Sequence, residues 1–393
     1  MGEKLDTKDK YKKNITKFKH ILVLISILII FTLCGCGKNL NEAAEPYEEK
    51  IESAEEINII DINKEDAEED LNPYDFTLTF AGDINFDENW YTMKYYNSVE
   101  NGIHDCISPE LIQIMRDADI MCLNNEFTYS TGGAPLSKTY TFRAHPSRVD
   151  ILKELGVDIV TLANNHVYDY GEQALIDTME TLKQADIFYC GAGHNLDEAM
   201  TPVYFEIDGK TIAYVAASRA EKNKVTPQAA EDSPGILHCY DTELFIQTIK
   251  EAKEKSDYVI AYVHWGTEFT HELEDVQLAT GRDYLDAGAD MVIGAHPHCL
   301  QGIECYDGKY IIYSLGNFWF NGQDIDTMLL NIHFYGDKTE EFIEVEIVPA
   351  LQTYNTTKFI TEQSEKDRIY SLLEDISVNI EINDLGIVTE TSP

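Results

Sequence analysis

Positive charge is scarce in this chain of 393 residues: 30 lysines and arginines face 70 aspartates and glutamates, for a formal charge of −40. Displacing counterions from nucleic-acid phosphates needs a cationic face, so a general nucleic-acid binder is excluded. Adhesion to an anionic membrane by charge alone is excluded on the same ground. A local cationic site is not, and bound metal ions would supply one. Long apolar runs are also lacking. Residues 21–33, ILVLISILIIFTL, are thirteen uncharged residues, short of the ~20 that a comfortable transmembrane helix needs. Among the six cysteines beyond this run, Cys106, Cys122, Cys190, Cys239, Cys299 and Cys305, no C-x-x-C or metal-finger spacing occurs. No internal repeat is evident. What remains is a chain with 44% hydrophobic residues, long enough to bury a full core.

The N-terminus reads as a targeting segment. Residues 1–20 carry seven lysines against three acids, and the short apolar core follows directly. It ends in Leu33-Cys34-Gly35-Cys36, which resembles a bacterial lipoprotein signal with cleavage after Gly35 and a lipid on Cys36. The alternative is an uncleaved N-terminal anchor. Both readings put the rest of the chain on the extracytoplasmic face of the cell membrane. Losing seven positive and three negative charges with residues 1–35 takes the net charge from −40 to about −44. Export permits disulfides among the six cysteines, while buried free thiols are the other outcome. Residues 37–74 form an acidic linker. Its stretch from Asn41 to Asp70 holds thirteen acids and two lysines, too polar to offset the entropy of ordering and self-repelling enough to stay extended.

Residues 75–350 read as one folded domain, and 351–393 as a polar, poorly patterned C-terminal extension. FTLTFAGDIN, DADIMCLNNEF, VDIVTLANNH and DIFYCGAG are strand-like runs. Between the later ones lie the helical patterns SRVDILKELG and GEQALIDTMETLKQA. Such alternation predicts parallel β-α-β units and an α/β fold. Asp208-Gly209 and Asp307-Gly308 predict hairpins. Helices near Asp241–Lys255 and Asp275–Ala287 lead into DYVIAYVHWG and DMVIGAHPH. DTMLLNIHFY and EEFIEVEIVPAL predict closing antiparallel strands.

Polar side chains gather where these strands end: Asp83, Glu126, Asn165-His166, His264 and His296-x-His298. Open α/β sheets bind ligands beyond the carboxyl ends of their strands, so five such endings imply one pocket. Each piece alone has an ordinary reading. Asp83 after Gly82 is also a turn or cap residue, Glu126 a solvated carboxylate, His264 beside Trp265 a packed imidazole. Asn165 and His166 also serve to terminate a strand. In an extended segment, residues two apart share a side, so His296 and His298 can face one centre.

The order GD…NNE…NNH…HWG…GAHPH…SLGNF, over about residues 75–335, resembles the capsule synthesis protein CapA family, the poly-γ-glutamate biosynthesis proteins. The resemblance implies a calcineurin-like metallophosphatase fold, an α/β architecture in which a two-sheet β-sandwich is flanked by helices. It also implies a dinuclear metal site with Asp83, Glu126, Asn165, His264, His296 and His298 as ligands and His166 as the catalytic histidine. Two departures stand out: Asn85 replaces the usual histidine two residues after the first aspartate, and Glu126 replaces the bridging aspartate. They leave the coordination count open between one ion and two. Oxygen ligands mixed with imidazoles suit Mn, Fe or Zn. His166 is expected to protonate the leaving group or steady the transition state. Asn85, Arg143, His145 and Asn317 are candidates for substrate binding. For Arg143 and His145, in YTFRAHP, a surface salt bridge is the alternative; for Asn317, a loop asparagine that satisfies backbone.

Three functions follow as expectations. The first is a metal-dependent hydrolase or transferase on a phosphoester or amide of the cell envelope, in capsule or poly-γ-glutamate biosynthesis, export or anchoring. The second is a non-catalytic accessory subunit of a membrane-bound polymer synthase. The third is a surface lipoprotein that binds a ligand. Converging histidines favour the first over the third. The partners implied are the membrane through a lipid anchor, polymer synthase subunits, and an anionic polymer or envelope substrate, with no nucleic acid.

Overall fold

The computed structural model describes residues 73–220 and 225–391. The leader, Cys36 and most of the acidic linker lie outside the described residues. Sixteen strands make up the two large sheets. In chain order they are β1 Tyr74–Ile84, β2 Ile120–Asn125, β3 Ile159–Thr161, β4 Phe188–Cys190, β5 Val203–Ile207, β6 Lys210–Ser218, β7 Tyr258–His264 and β8 Met291–Ala295. They continue with β9 Leu300–Tyr306, β10 Lys309–Leu315, β11 Asn317–Trp319, β12 Asp324–Gly336, β13 Glu341–Thr353, β14 Thr356–Phe359, β15 Ile380–Ile382 and β16 Ile387–Glu390.

The ten-stranded sheet runs β15-β16-β13-β12-β1-β2-β3-β4, with β11 paired to β1 and β14 to β13. The six-stranded sheet runs β9-β10-β8-β7-β6-β5. β1 to β4 are mutually parallel, as are β6, β7, β8 and β10. β12 and β13 close the larger sheet as the long antiparallel pair expected. At both hairpin signals the turn residues take positive φ, 48° and 77° at Asp208-Gly209 and 52° and 73° at Asp307-Gly308. Two successive left-handed residues match the twist of the flanking strands.

Alternation along each strand builds the layers. Phe76, Leu78 and Phe80 of β1 and Ile120 and Cys122 of β2 face Ile212, Tyr214, Ile260 and Tyr262 of the other sheet, forming the core between the sheets. The opposite face of β2, Met121 and Leu123, packs under helices Pro109–Asp117, Val149–Leu155 and Glu172–Gln184. Val259, Ala261 and Val263 of β7 pack under helices Glu243–Lys253 and Asp275–Asp286. This is the two-sheet α/β sandwich flanked by helices that the sequence predicts.

The polar stretch after Leu351 is woven into the larger sheet. β14 pairs with β13, helix Gln363–Asp375 adds Ile369, Tyr370 and Leu373 to the core between the sheets, and β16 pairs with β13. The six cysteines beyond the leader are free thiols. Among the described residues no helix is long and apolar enough to cross a membrane.

Candidate metal centre

Both sheets send strand ends to one place. Asp83 is the penultimate residue of β1, Glu126 follows β2 at once, and Asn164, Asn165 and His166 follow β3. From the other sheet, His264 ends β7 and His296 follows β8. Parallel register carries this out: Asp83 lies opposite Asn124 and Asn317, and His264 opposite Ala295. Gly82 permits the approach, since a Cβ there would sit 1.8 Å from the Gly316 carbonyl oxygen. That carbonyl accepts the Asp83 N–H at 2.9 Å.

Two groups of ligand atoms result, each within 4.8 Å: Asp83, Glu126 and His298, and Glu126, His264 and His296. Glu126 belongs to both. Asn165 joins the second, its Oδ1 lying 2.8 Å from His264 Nε2. All are buried. The H-x-H pair converges by a route that differs from the extended segment expected. His296 and His298 have φ of 99° and 56°, and left-handed backbone, not strand alternation, brings their rings to 6.0 Å between centroids. Two non-glycine residues held there cost roughly 1–3 kcal/mol each, a strain that clusters at functional sites.

Asn124 is a residue that sequence reading passed over. Its Nδ2 reaches Asp83 Oδ1 at 2.8 Å and Glu126 Oε2 at 3.3 Å, so it sits between the two carboxylates. Its Oδ1 accepts from Thr161 and Asn164. Asp169 is another. Its Oδ2 lies 2.6 Å from His166 Nδ1 and accepts the Phe142 N–H, while its Oδ1 meets Lys138 Nζ at 2.9 Å. Lys138 also donates to the Asn165 carbonyl. The signal for Asp169 was its place three residues after His166; for Asn124, the first asparagine of NNE.

Burial governs the ionisation. It drives the His264 imidazole down to about 3 and that of His296 well below its usual range, leaving both neutral and able to donate a lone pair. Burial lowers His166 as well, against the pull of Asp169. At His298, burial is outweighed by the hydrogen bond and charge of Asp83, so its affinity for a proton is raised. Glu126 is pushed well above the carboxylate range by burial and by the charge of Asp83.

Glu126 Oε1 and His296 Nδ1 are buried without a hydrogen bond, and Asp83 Oδ2 meets only the His298 ring, 3.2 Å from its Nδ1. Two adjacent buried carboxylates cost several kcal/mol unless a cation or proton compensates them. Oxygen donors mixed with neutral imidazoles therefore fit a divalent transition ion in each group.

The four candidate substrate residues divide. Asn317 lies inside the centre, where its Oδ1 is 2.8 Å from His298 Nδ1 and orients that ring. Asn85 is buried beside it, its Oδ1 taken by the Asp87 N–H at 2.7 Å. Arg143 and His145 line a separate cleft of about 280 Å³ with Asp87, Glu88, Ser130 and Tyr170. There His145 is exposed and its Nδ1 lies 2.9 Å from Ser147 Oγ.

Residues 77–322 match the model of a protein family described as bacterial capsule synthesis protein PGA_cap. The chain is 30% identical over 355 residues to the PGA biosynthesis protein CapA of Bacillus subtilis, an alignment covering 88% of this chain and 83% of that protein. It is 31% identical over 243 residues to the capsule biosynthesis protein CapA of Bacillus anthracis, covering 60% of this chain and 58% of that one. Among solved structures, the NAD nucleotidase of Haemophilus influenzae superposes with a TM-score of 0.42 at 11% identity, over 80% of this chain and 65% of its own. With the family model spanning more than half of its length and a relative aligned along most of its own, the chain belongs to the bacterial capsule synthesis protein family PGA_cap.

Proposed function

We propose that this protein is a metal-dependent hydrolase or transferase of capsule or poly-γ-glutamate biosynthesis, acting on a phosphoester or amide bond of an envelope polymer. The observation that carries the reading is the pair of buried ligand groups sharing Glu126, with a histidine–aspartate pair alongside. Asp83, Glu126 and His298 would hold one divalent ion; Glu126, Asn165, His264 and His296 would hold the second. When bound, such ions supply Lewis-acid polarisation of the scissile group.

The chain's own residues divide the rest. Asp169 fixes His166 with its proton on Nδ1, which leaves Nε2 to accept or deliver a proton. Lys138 holds the other oxygen of Asp169, the Phe142 N–H shares Oδ2 with the imidazole, and together they prevent the carboxylate from turning away. Asn317 fixes the ring of His298, and Asn124 keeps the two carboxylates apart without neutralising either. Cys36, once lipidated, anchors this domain at the outer face of the cell membrane through the acidic linker. Replacing Cys36 with serine should abolish lipid labelling and leave uncleaved precursor.

The deciding experiment is metal analysis of the purified chain, followed by a panel of phosphoesters and γ-glutamyl amides with each of Mn, Fe and Zn. Turnover that depends on metal and on His166 supports the reading. Absence of transition metal from the wild type overturns it. Metal without cleavage of either bond class moves the protein to an accessory role in polymer assembly.

A further inference from the structure

The cleft that holds Arg143 stands one or two residues from the metal centre on three walls. Asn85 of the centre leads to Asp87 of the cleft and is bonded to it. Phe142, whose ring centroid is 4.6 Å from that of His166, precedes Arg143. Asp169, which holds His166, precedes Tyr170. Residues of the cleft and of the centre are thus neighbours along the chain on three segments.

The charges in the cleft decide what it takes. Glu88 is tied to Arg148 by two bonds of 2.8 and 2.9 Å. Asp87 is occupied by backbone, accepting the N–H groups of Arg143 and Asn89 at 2.8 and 2.9 Å, and burial raises its affinity for a proton. Ser130 Oγ is held by Asp177 at 2.5 Å. The Arg143 guanidinium lies over the Tyr170 ring, its Cζ 4.1 Å from the centroid, with one nitrogen donating to the Gly132 carbonyl at 2.8 Å. Among the described residues no carboxylate stands in ion-pair contact with it, although its charge acts on the Asp87 carboxylate. Ring and carbonyl thus hold the fork in place and leave its remaining N–H groups for an anion. A planar fork prepared in this way suits a two-oxygen acceptor.

We infer that this cleft is a subsite for a carboxylate on the chain substrate, one unit from the bond that reacts, with Arg143 as its reader. The inference rests on the polymer-directed reading above, because phosphate has the same appetite for an arginine fork. What separates the two sources is the ligand, so the test varies the ligand.

The full chain, purified in detergent, is titrated with tetra-γ-glutamate, with its fully amidated analogue, and with inorganic phosphate as competitor. The acid should bind about ten- to a hundredfold more tightly than the amide, the range for losing a hydrogen bond to a charged group. Arg143→Gln should erase that preference, and Arg143→Lys should keep a reduced one. Equal binding of acid and amide by the wild type overturns the inference without needing any variant. So does a preference that survives Arg143→Gln. Phosphate that binds through Arg143 while the acid does not bind assigns the cleft to phosphate and also overturns it. Repeating the titration after metal chelation separates the two claims. A preference that persists without any detectable hydrolysis leaves the subsite standing and the enzyme reading fallen. Metal-dependent hydrolysis with no preference does the reverse.

Discussion

Gly82→Ala tests how the metal centre is assembled. A Cβ at position 82 would stand 1.8 Å from the Gly316 carbonyl oxygen and 3.1 Å from that of Leu315. Ordinary carbon–oxygen contact needs at least 3.4 Å, so β1 and the link between β10 and β11 must part by about 1.6 Å, the difference from 1.8 Å. Both sides are backbone, and no side-chain rotation relieves the clash. The Asp83 N–H bond to Gly316, now 2.9 Å, is lost with the movement. Overpacking costs ~1–3 kcal/mol and a buried donor left unpaired ~1–3 more. A total of about 2–6 kcal/mol is a large part of a usual stability of ~5–15 kcal/mol. Metal binding should suffer further, because ligand distances tolerate only about 0.2 Å and Asp83 moves away from His298 and Asn317. Urea denaturation of the chelated protein reads the first effect, and isothermal titration with Mn or Zn the second. Gly132→Ala, where the new Cβ meets only Ser130 Oγ at 3.7 Å, is the control. An unchanged urea midpoint and unchanged metal affinity in Gly82→Ala would refute the account of this close approach.

Asp169→Asn should keep bound metal and lower kcat by roughly 10²–10⁴, because an amide cannot satisfy both the imidazole N–H and Lys138; turnover within threefold of wild type in metal-loaded protein would make the dyad idle. Replacing His296 and His298 together with alanine should strip the metal while circular dichroism stays native, whereas His166→Ala keeps metal and loses turnover; elemental analysis of both decides. Metal affinity should rise with pH. Burial and Asp83 raise the Glu126 pKa, so the metal-free protein carries a proton there that coordination expels, and log K climbs until pH passes that pKa, then flattens. Titrations in buffers of different ionisation enthalpy measure this proton release, and its absence would mean that Glu126 is already ionised or is not a ligand.

The larger architecture was legible because its strands are apolar runs that end in polar residues, and its hairpins carry Asp-Gly, which tolerates the left-handed turn. The tail was not. Of the thirteen residues in helix Gln363–Asp375 only Ile369, Tyr370 and Leu373 are buried, too sparse a stripe to stand out from its polar setting. Its strands are three or four residues long; β14 and β16 take their register from β13, and β15 takes its own from β16. At the metal centre, the residues with metal chemistry were readable by type. Asn124 and Asp169 were not, since their roles come from what lies across the sheet from Asn124 and from the loop that folds over Asp169. The convergence of His296 and His298 was anticipated, but its cause, positive φ at both, was not, since no glycine or turn dipeptide marks the H-x-H segment.

The candidate ligands are divided between two sheets: Asp83, Glu126 and Asn165 on one, His264, His296 and His298 on the other. Neither sheet alone presents a full set, so an unfolded or half-folded chain has nowhere to hold an ion tightly. Under the exported, lipid-anchored reading proposed above, the chain would select its metal from the medium in which the two sheets dock and not from the cytoplasm. Cytoplasmic competitors higher in the affinity series would then never reach the finished cage, and geography would set the ion as much as ligand chemistry does.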